Sequence, residues 1–225
     1  MQAFAADVLK LLYENREPLA FRDGRGKLTG LVVTPVERAM TSAAISSIWI
    51  ETSFKRQIYV VEANDEAVCA VGLYKNKERQ KFAKFSHPIL RSLDRPSVML
   101  AHKDFQPDTG LDLLKIMSMP GIKMLKKDGA TYGSAIDDLI ERSNITVVST
   151  TAEAINMAKM IAAKRADFIL TPEADALNMI KSTGEEDKLH IVKPQGMPQG
   201  PERYLMCSQR VSDELLQRFN KAFVK

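Results

Sequence analysis

Arg79 is the side chain of this sequence best suited to gripping a small charged molecule. A guanidinium presents a planar fork of N–H donors that holds a carboxylate through two parallel, charge-assisted bonds. Lys75, Lys77, Lys81 and Lys84 surround it, so a solvated basic run is the competing reading. A second candidate is Thr131-Tyr132-Gly133-Ser134, which precedes a segment of helical periodicity. Free amides at a helix start attract an anion, and the Thr131 and Ser134 hydroxyls can add bonds, although the same residue types cap helices in any protein. Tyr13 and Glu14 close the first apolar run and can wall a pocket. Trp49, the only tryptophan, is assigned to the core ahead of a stacking platform.

Catalytic chemistry finds no such footing. His87, His102 and His190 are far apart, with neither H-E-x-x-H nor H-x-H spacing, so no metal is expected. No nucleophile elbow occurs. Asp23-Gly24-Arg25-Gly26-Lys27 lacks the spacing of a phosphate-binding loop and reads as a turn. The expectation is therefore a non-enzyme with no catalytic residue and no cofactor. The net charge of +4 is spread through interleaved acids and bases rather than clustered, which argues against nucleic acid as a partner. No apolar run reaches the roughly 18–20 residues of a membrane span. Cys69 and Cys207 each lie within an apolar run; buried free thiols are the first expectation, with a disulfide as the alternative.

The elements that must position these residues alternate strand and helix, which predicts an α/β class with mainly parallel sheets. Strands are expected at 8–13, 67–73, 97–101, 122–125, 145–149, 168–171, 189–192 and 204–207, and helices at 54–63, 134–142, 152–163, 173–182 and 213–224. Thr34-Pro35-Val36-Glu37 reads as a helix start with Thr34 as cap, a further helix is expected to be capped near Thr109, and Ser212 should cap the last one. The Pro/Gly-rich stretch 194–201 before a final strand and helix suggests a chain that returns to its first lobe. Lobe one is then 1–100 plus 203–225 and lobe two 101–202, joined by hinge segments near 98–104 and 190–203. Paired crossings let a few residues absorb a rotation while both lobes stay rigid.

Three stretches resemble the family 3 extracellular solute-binding proteins of polar amino-acid uptake. They are LKLLYENREPLAF (9–21) with DGRGKLTGL (23–31), VGLYKNKERQKFAKFSHPI (71–89), and KKDGATYGS (126–134) followed by KRADFILTPEAD (164–175). The middle stretch is similar to the family's G-x-x-x-x-x-E-R-x-x-x-x-x-F-S-x-P segment and is the most specific. The resemblance spans nearly the whole chain in order, except for a helix that family members carry beyond Lys225. It implies a type II periplasmic binding protein, two α/β lobes on a two-segment hinge, closing around a small carboxylate-bearing solute. The implied partners are that solute and an ABC permease, and the implied protein is a monomer of the periplasm. Ala3-Phe4-Ala5 before Ala6-Asp7 fits the tail of a secretory cleavage site. The resemblance places Arg79 in a ligand-binding segment. Tyr74 stands where relatives carry a small Thr or Ser that bonds the ligand, and Glu173 near the acid that meets a substrate ammonium. Alternatives on the same fold are a sensory input domain, a dehydratase with Glu173 as acid, and the effector half of a transcription regulator.

Overall fold

The computed structural model describes residues 8–91, 97–108 and 110–223; the small-residue stretch at Ala3–Asp7 and the expected cap Thr109 lie outside the described residues. The chain divides into two compact units, Met1–Arg91 with Glu202–Lys225, and Ser92–Pro201. The first change of unit thus falls earlier than the expected 98–104. Residues 98–102 belong to β7 (Ser97–His102), whose continuous buried run Val98–Ala101 commits it to the second sheet.

The sheet of the first unit has the order β4 (Ser47–Glu51), β1 (Leu9–Tyr13), β5 (Val68–Tyr74), β12 (Arg203–Cys207), β6 (Lys84–Phe85). β4, β1 and β5 are parallel, whereas β12 returns antiparallel between β5 and β6. Period-two alternation splits the core between two faces. Leu9, Leu11 and Tyr13 meet α1 (Val33–Ser42) and α7 (Asp213–Phe223) through Val33, Val36, Met40, Leu216 and Phe219. Leu12, Val68, Ala70 and Met206 meet α2 (Phe54–Ala63) through Val61 and Ile58. A small hairpin of β2 (Phe21–Arg22) and β3 (Leu28–Thr29) leads into α1.

α1 begins one residue before the expected cap. Thr34 lies inside its first turn, its amide donating to the Gly30 carbonyl at 3.1 Å and its hydroxyl lying 3.4 Å from that of Thr29. Pro35 still sits in the first turn, where a missing amide costs no intrahelical bond. Ser212 does cap α7, accepting from the Leu215 amide at 3.1 Å. Cys69 and Cys207 are not free thiols. They face each other across β5 and β12 and form a disulfide that is fully buried.

The second unit carries a sheet of order β11 (Leu189–Val192), β7, β10 (Phe168–Pro172), β8 (Lys123–Lys127), β9 (Thr146–Thr150). β10, β8 and β9 are parallel, and β7 runs antiparallel to both of its neighbours. Val98, Leu100, Leu125 and Ile169 pack under α5 (Ala154–Ala162) and α6 (Glu173–Thr183). Met99, Ala101, Met124, Phe168 and Leu170 pack under α3 (Leu113–Met117) and α4 (Ser134–Ser143). α3 is capped by Asp112, whose carboxylate accepts from the Lys115 amide at 2.8 Å.

Candidate functional site

Parallel strands point their carboxyl ends at one edge of a sheet, the edge at which α/β proteins collect ligand groups. In the first unit that edge holds a pocket lined by Glu14, Arg16, Phe54, Gln57, Gly72, Leu73 and Arg203, among others. Glu14 follows β1, Gly72 and Leu73 lie just before the end of β5, Arg203 opens β12, and Phe54 and Gln57 come from the first turn of α2. The pocket encloses about 40 Å³, room for one small polar group of a solute. A wider hollow of about 420 Å³ beside the β2–β3 hairpin is lined by Pro18, Phe21, Thr29, Gly30, Leu31, Thr34 and Pro35. No ionisable side chain lines it, so the smaller pocket is the chemical candidate.

A β-bulge shapes this site. The pairing of β12 with β5 passes from Tyr204 opposite Leu73 to Leu205 opposite Val71, leaving Gly72 as the extra residue. Its φ of +81° is a conformation that glycine adopts without strain, and a Cβ there would stand 3.3 Å from Val32. The bulge turns the Gly72 carbonyl toward Arg203, whose Nη1 donates to it at 2.7 Å. Arg203 Nη2 donates to the Tyr74 hydroxyl at 2.9 Å, and its guanidinium carbon lies 4.4 Å from the centre of the Tyr74 ring. Arg203 is only 8% exposed. A strand that returns from the second unit thus delivers a buried cation to the pocket.

The residues expected in this half of the site separate into three groups. Glu14 lines the pocket. Arg79 and Tyr74 flank it. Arg79 is 4% exposed, donates to the Tyr74 carbonyl at 2.7 Å, and lies 5.7 Å from the centre of the Phe54 ring. Tyr74 covers Arg203 rather than opening toward the pocket. Tyr13 is a core residue: it is buried, stacked edge-on with Trp49 at 6.0 Å, and donates its hydroxyl to Glu51 at 3.0 Å. Burial and the Glu51 carboxylate raise the Tyr13 phenol above its ordinary value.

In the second unit, Thr131, Tyr132, Gly133 and Ser134 do form the turn into α4. The anion expected at this turn is supplied by the chain itself. The Asp137 carboxylate accepts from the Thr131 hydroxyl and from the Tyr132 amide at 3.1 Å, and the Gly133 amide donates to the Thr131 hydroxyl at 3.1 Å. Two amides of the turn are therefore engaged. Ser134 is exposed at the first helical position. Gly133, at φ +87°, keeps its Cα clear of Pro201, which a Cβ would approach to 3.2 Å. Glu173 opens α6 and is ion-paired with Lys193 at 2.6 Å. Beside it, the Thr171 hydroxyl is buried with no hydrogen-bond partner among the described residues. Among the described residues no three His, Cys, Asp or Glu side chains gather as a metal would require.

Arg16, Phe54, Gln57 and Arg203 were not anticipated. Only Gln57 left a signal, being a polar residue on the buried stripe of α2 that also carries Val61.

No family model matches the sequence, and no curated protein matches it. Solved structures match nearly all of it. The chain has the fold of the periplasmic binding proteins. A histidine kinase sensor domain described as similar to those proteins aligns over 96% of this chain and 88% of its own, at TM-score 0.75 and 16% identity. The arginine-bound substrate-binding protein of an amino acid ABC transporter from Streptococcus pneumoniae aligns over 96% and 87%, at TM-score 0.73 and 17% identity. An ancestral amino acid-binding protein, a precursor of cyclohexadienyl dehydratase, aligns over 96% and 88%, at TM-score 0.70 and 17% identity. Identities this low establish shared architecture, and on one architecture different chemistries are grafted.

Proposed function

We propose that this protein captures a small, polar, carboxylate-bearing solute, an amino acid or a related acid, by closure of its two units, and delivers it to an ABC permease. The observation that carries the reading is the buried Arg203 guanidinium in a pocket with Glu14 and Arg16, at the carboxyl edge of a sheet in a solute-binding fold. Arg79, held behind Phe54, adds positive potential to the same edge. A pocket of this size suits one end of such a solute. Binding then shifts the population toward the closed form, and a micromolar affinity, about −8 kcal/mol, captures the solute while permitting release.

The protein acts without catalysis and as a monomer in this reading. Its place is the periplasm, and a buried disulfide fits an oxidising compartment. The likeness to a histidine kinase sensor domain supports a second reading, a sensory input domain, for which a membrane helix and signalling domain encoded in the same gene would decide.

A thermal-shift screen with amino acids and organic acids tests the proposal. A true solute at about 100 to 1,000 times its dissociation constant stabilises the protein by about 3–4 kcal/mol. Calorimetry on Arg79→Ala and Arg203→Ala should then show weakened binding of that solute. If no amino acid or organic acid shifts the melting temperature at millimolar concentration, the reading fails.

A further inference from the structure

Gln57 is a polar side chain in an apolar place. It shares the buried stripe of α2 with Val61, is 1% exposed, and lines the pocket of the first unit. Its Nε2 donates to the Thr52 carbonyl at 3.3 Å. A carbonyl can face only the amide nitrogen, so this bond fixes which way the carboxamide is turned. Its Oε1 is buried and has no hydrogen-bond partner among the described residues. A leucine here would avoid the desolvation of an unmatched acceptor, which is costly in a protein interior.

An acceptor left open in a pocket calls for a donor from outside the chain. Glu14, Arg16 and Arg203 line the same pocket, so it carries both an acid and bases beside that acceptor. The geometry points to Gln57 as a specificity-determining residue: its Oε1 accepts an N–H from the bound solute, so the first unit selects a nitrogen-bearing solute over an acid of similar shape without such a donor. The inference rests on the solute-binding reading and deepens it. A site built to meet an N–H rejects an analogue lacking it, because the acceptor is then buried unmatched.

Calorimetry with matched probes tests this on wild type, Gln57→Leu and Gln57→Glu. The nitrogen-bearing probes are L-glutamate, L-glutamine and L-arginine; the donor-free probes are 2-oxoglutarate and glutarate. The expected result is that a nitrogen-bearing probe bound by wild type weakens about tenfold or more in Gln57→Leu and holds or tightens in Gln57→Glu. Donor-free acids should change less than about threefold in Gln57→Leu. Gln57→Met replaces the leucine variant if circular dichroism shows that variant unfolded. Equal losses for both probe classes, or no loss for either, overturn the role of Gln57 and leave solute binding standing. Wild type binding only the donor-free acids does the same. Wild type binding neither class overturns the role of Gln57 toward these solutes, while solute binding itself stands or falls on the wider thermal-shift screen.

Discussion

Two arginines, Arg79 and Arg203, shape the candidate site, and both are buried through partners that use the guanidinium as a planar donor rather than a point charge. Arg79 is stitched to the Tyr74 carbonyl and Arg203 to the Gly72 carbonyl and the Tyr74 hydroxyl. A lysine could not keep two such bonds in one plane. Tyr204, next to Arg203, shows a different use of burial. Its hydroxyl donates to Glu202 at 3.0 Å, and burial together with that carboxylate pushes its phenol up to about 12. Because the folded state holds this proton more tightly than the unfolded chain, the contribution is intact below the ordinary tyrosine value of 10.0 and is lost as pH rises toward about 12. Melting temperatures measured from about pH 9 upward should fall across that window, and Tyr204→Phe should fall less steeply. Tyr13, raised by burial and the Glu51 carboxylate, contributes to the fall in the same direction.

At the scale of elements, the bulge at Gly72 and the turn before α4 do the positioning. The bulge interrupts the pairing of β5 with β12 at Gly72, whose carbonyl accepts from Arg203. The α4 turn is organised by Asp137, which gathers the Thr131 hydroxyl and the Tyr132 amide. Asp137→Ala should lower the stability of the protein by about 1–3 kcal/mol in denaturant titration, since a charged acceptor of two donors is removed. Asp137→Asn should lose less, as it keeps one acceptor oxygen. Thr and Ser before a periodic segment announced this helix start correctly, and the acid that engages the turn stands within the helix. The strand β4 was missed outright. Ile48 and Ile50 are exposed on an edge strand, so Ser47–Glu51 lacks the apolar alternation that marks a half-buried strand.

At the scale of the whole molecule, the first unit is discontinuous, and the Cys69–Cys207 disulfide joins its two pieces across 138 residues. A crosslink restricts the unfolded chain more as the loop it closes grows. The double variant Cys69→Ala, Cys207→Ala should lose about 2–5 kcal/mol in urea titration under oxidising conditions. Reductant should lower the wild-type transition and leave that of the variant unmoved.

The burial of Arg79 against the Tyr74 carbonyl and the Phe54 ring was not legible in its lysine-rich surroundings. Periodicity along the chain was enough to establish an α/β protein and most of its strands and helices. That reach has a physical reason. Which face of a strand or helix is apolar is written in local order, and burial follows it. Pairing is not local. Arg203 meets Gly72 across 131 residues, Cys207 meets Cys69, and Gln57 takes its meaning from a pocket whose other walls come from β5, β12 and the segment between β1 and α1. Only the path of the chain through space brings these groups together, so the tertiary structure decided which polar residues share a pocket and which, like Tyr13, complete the core.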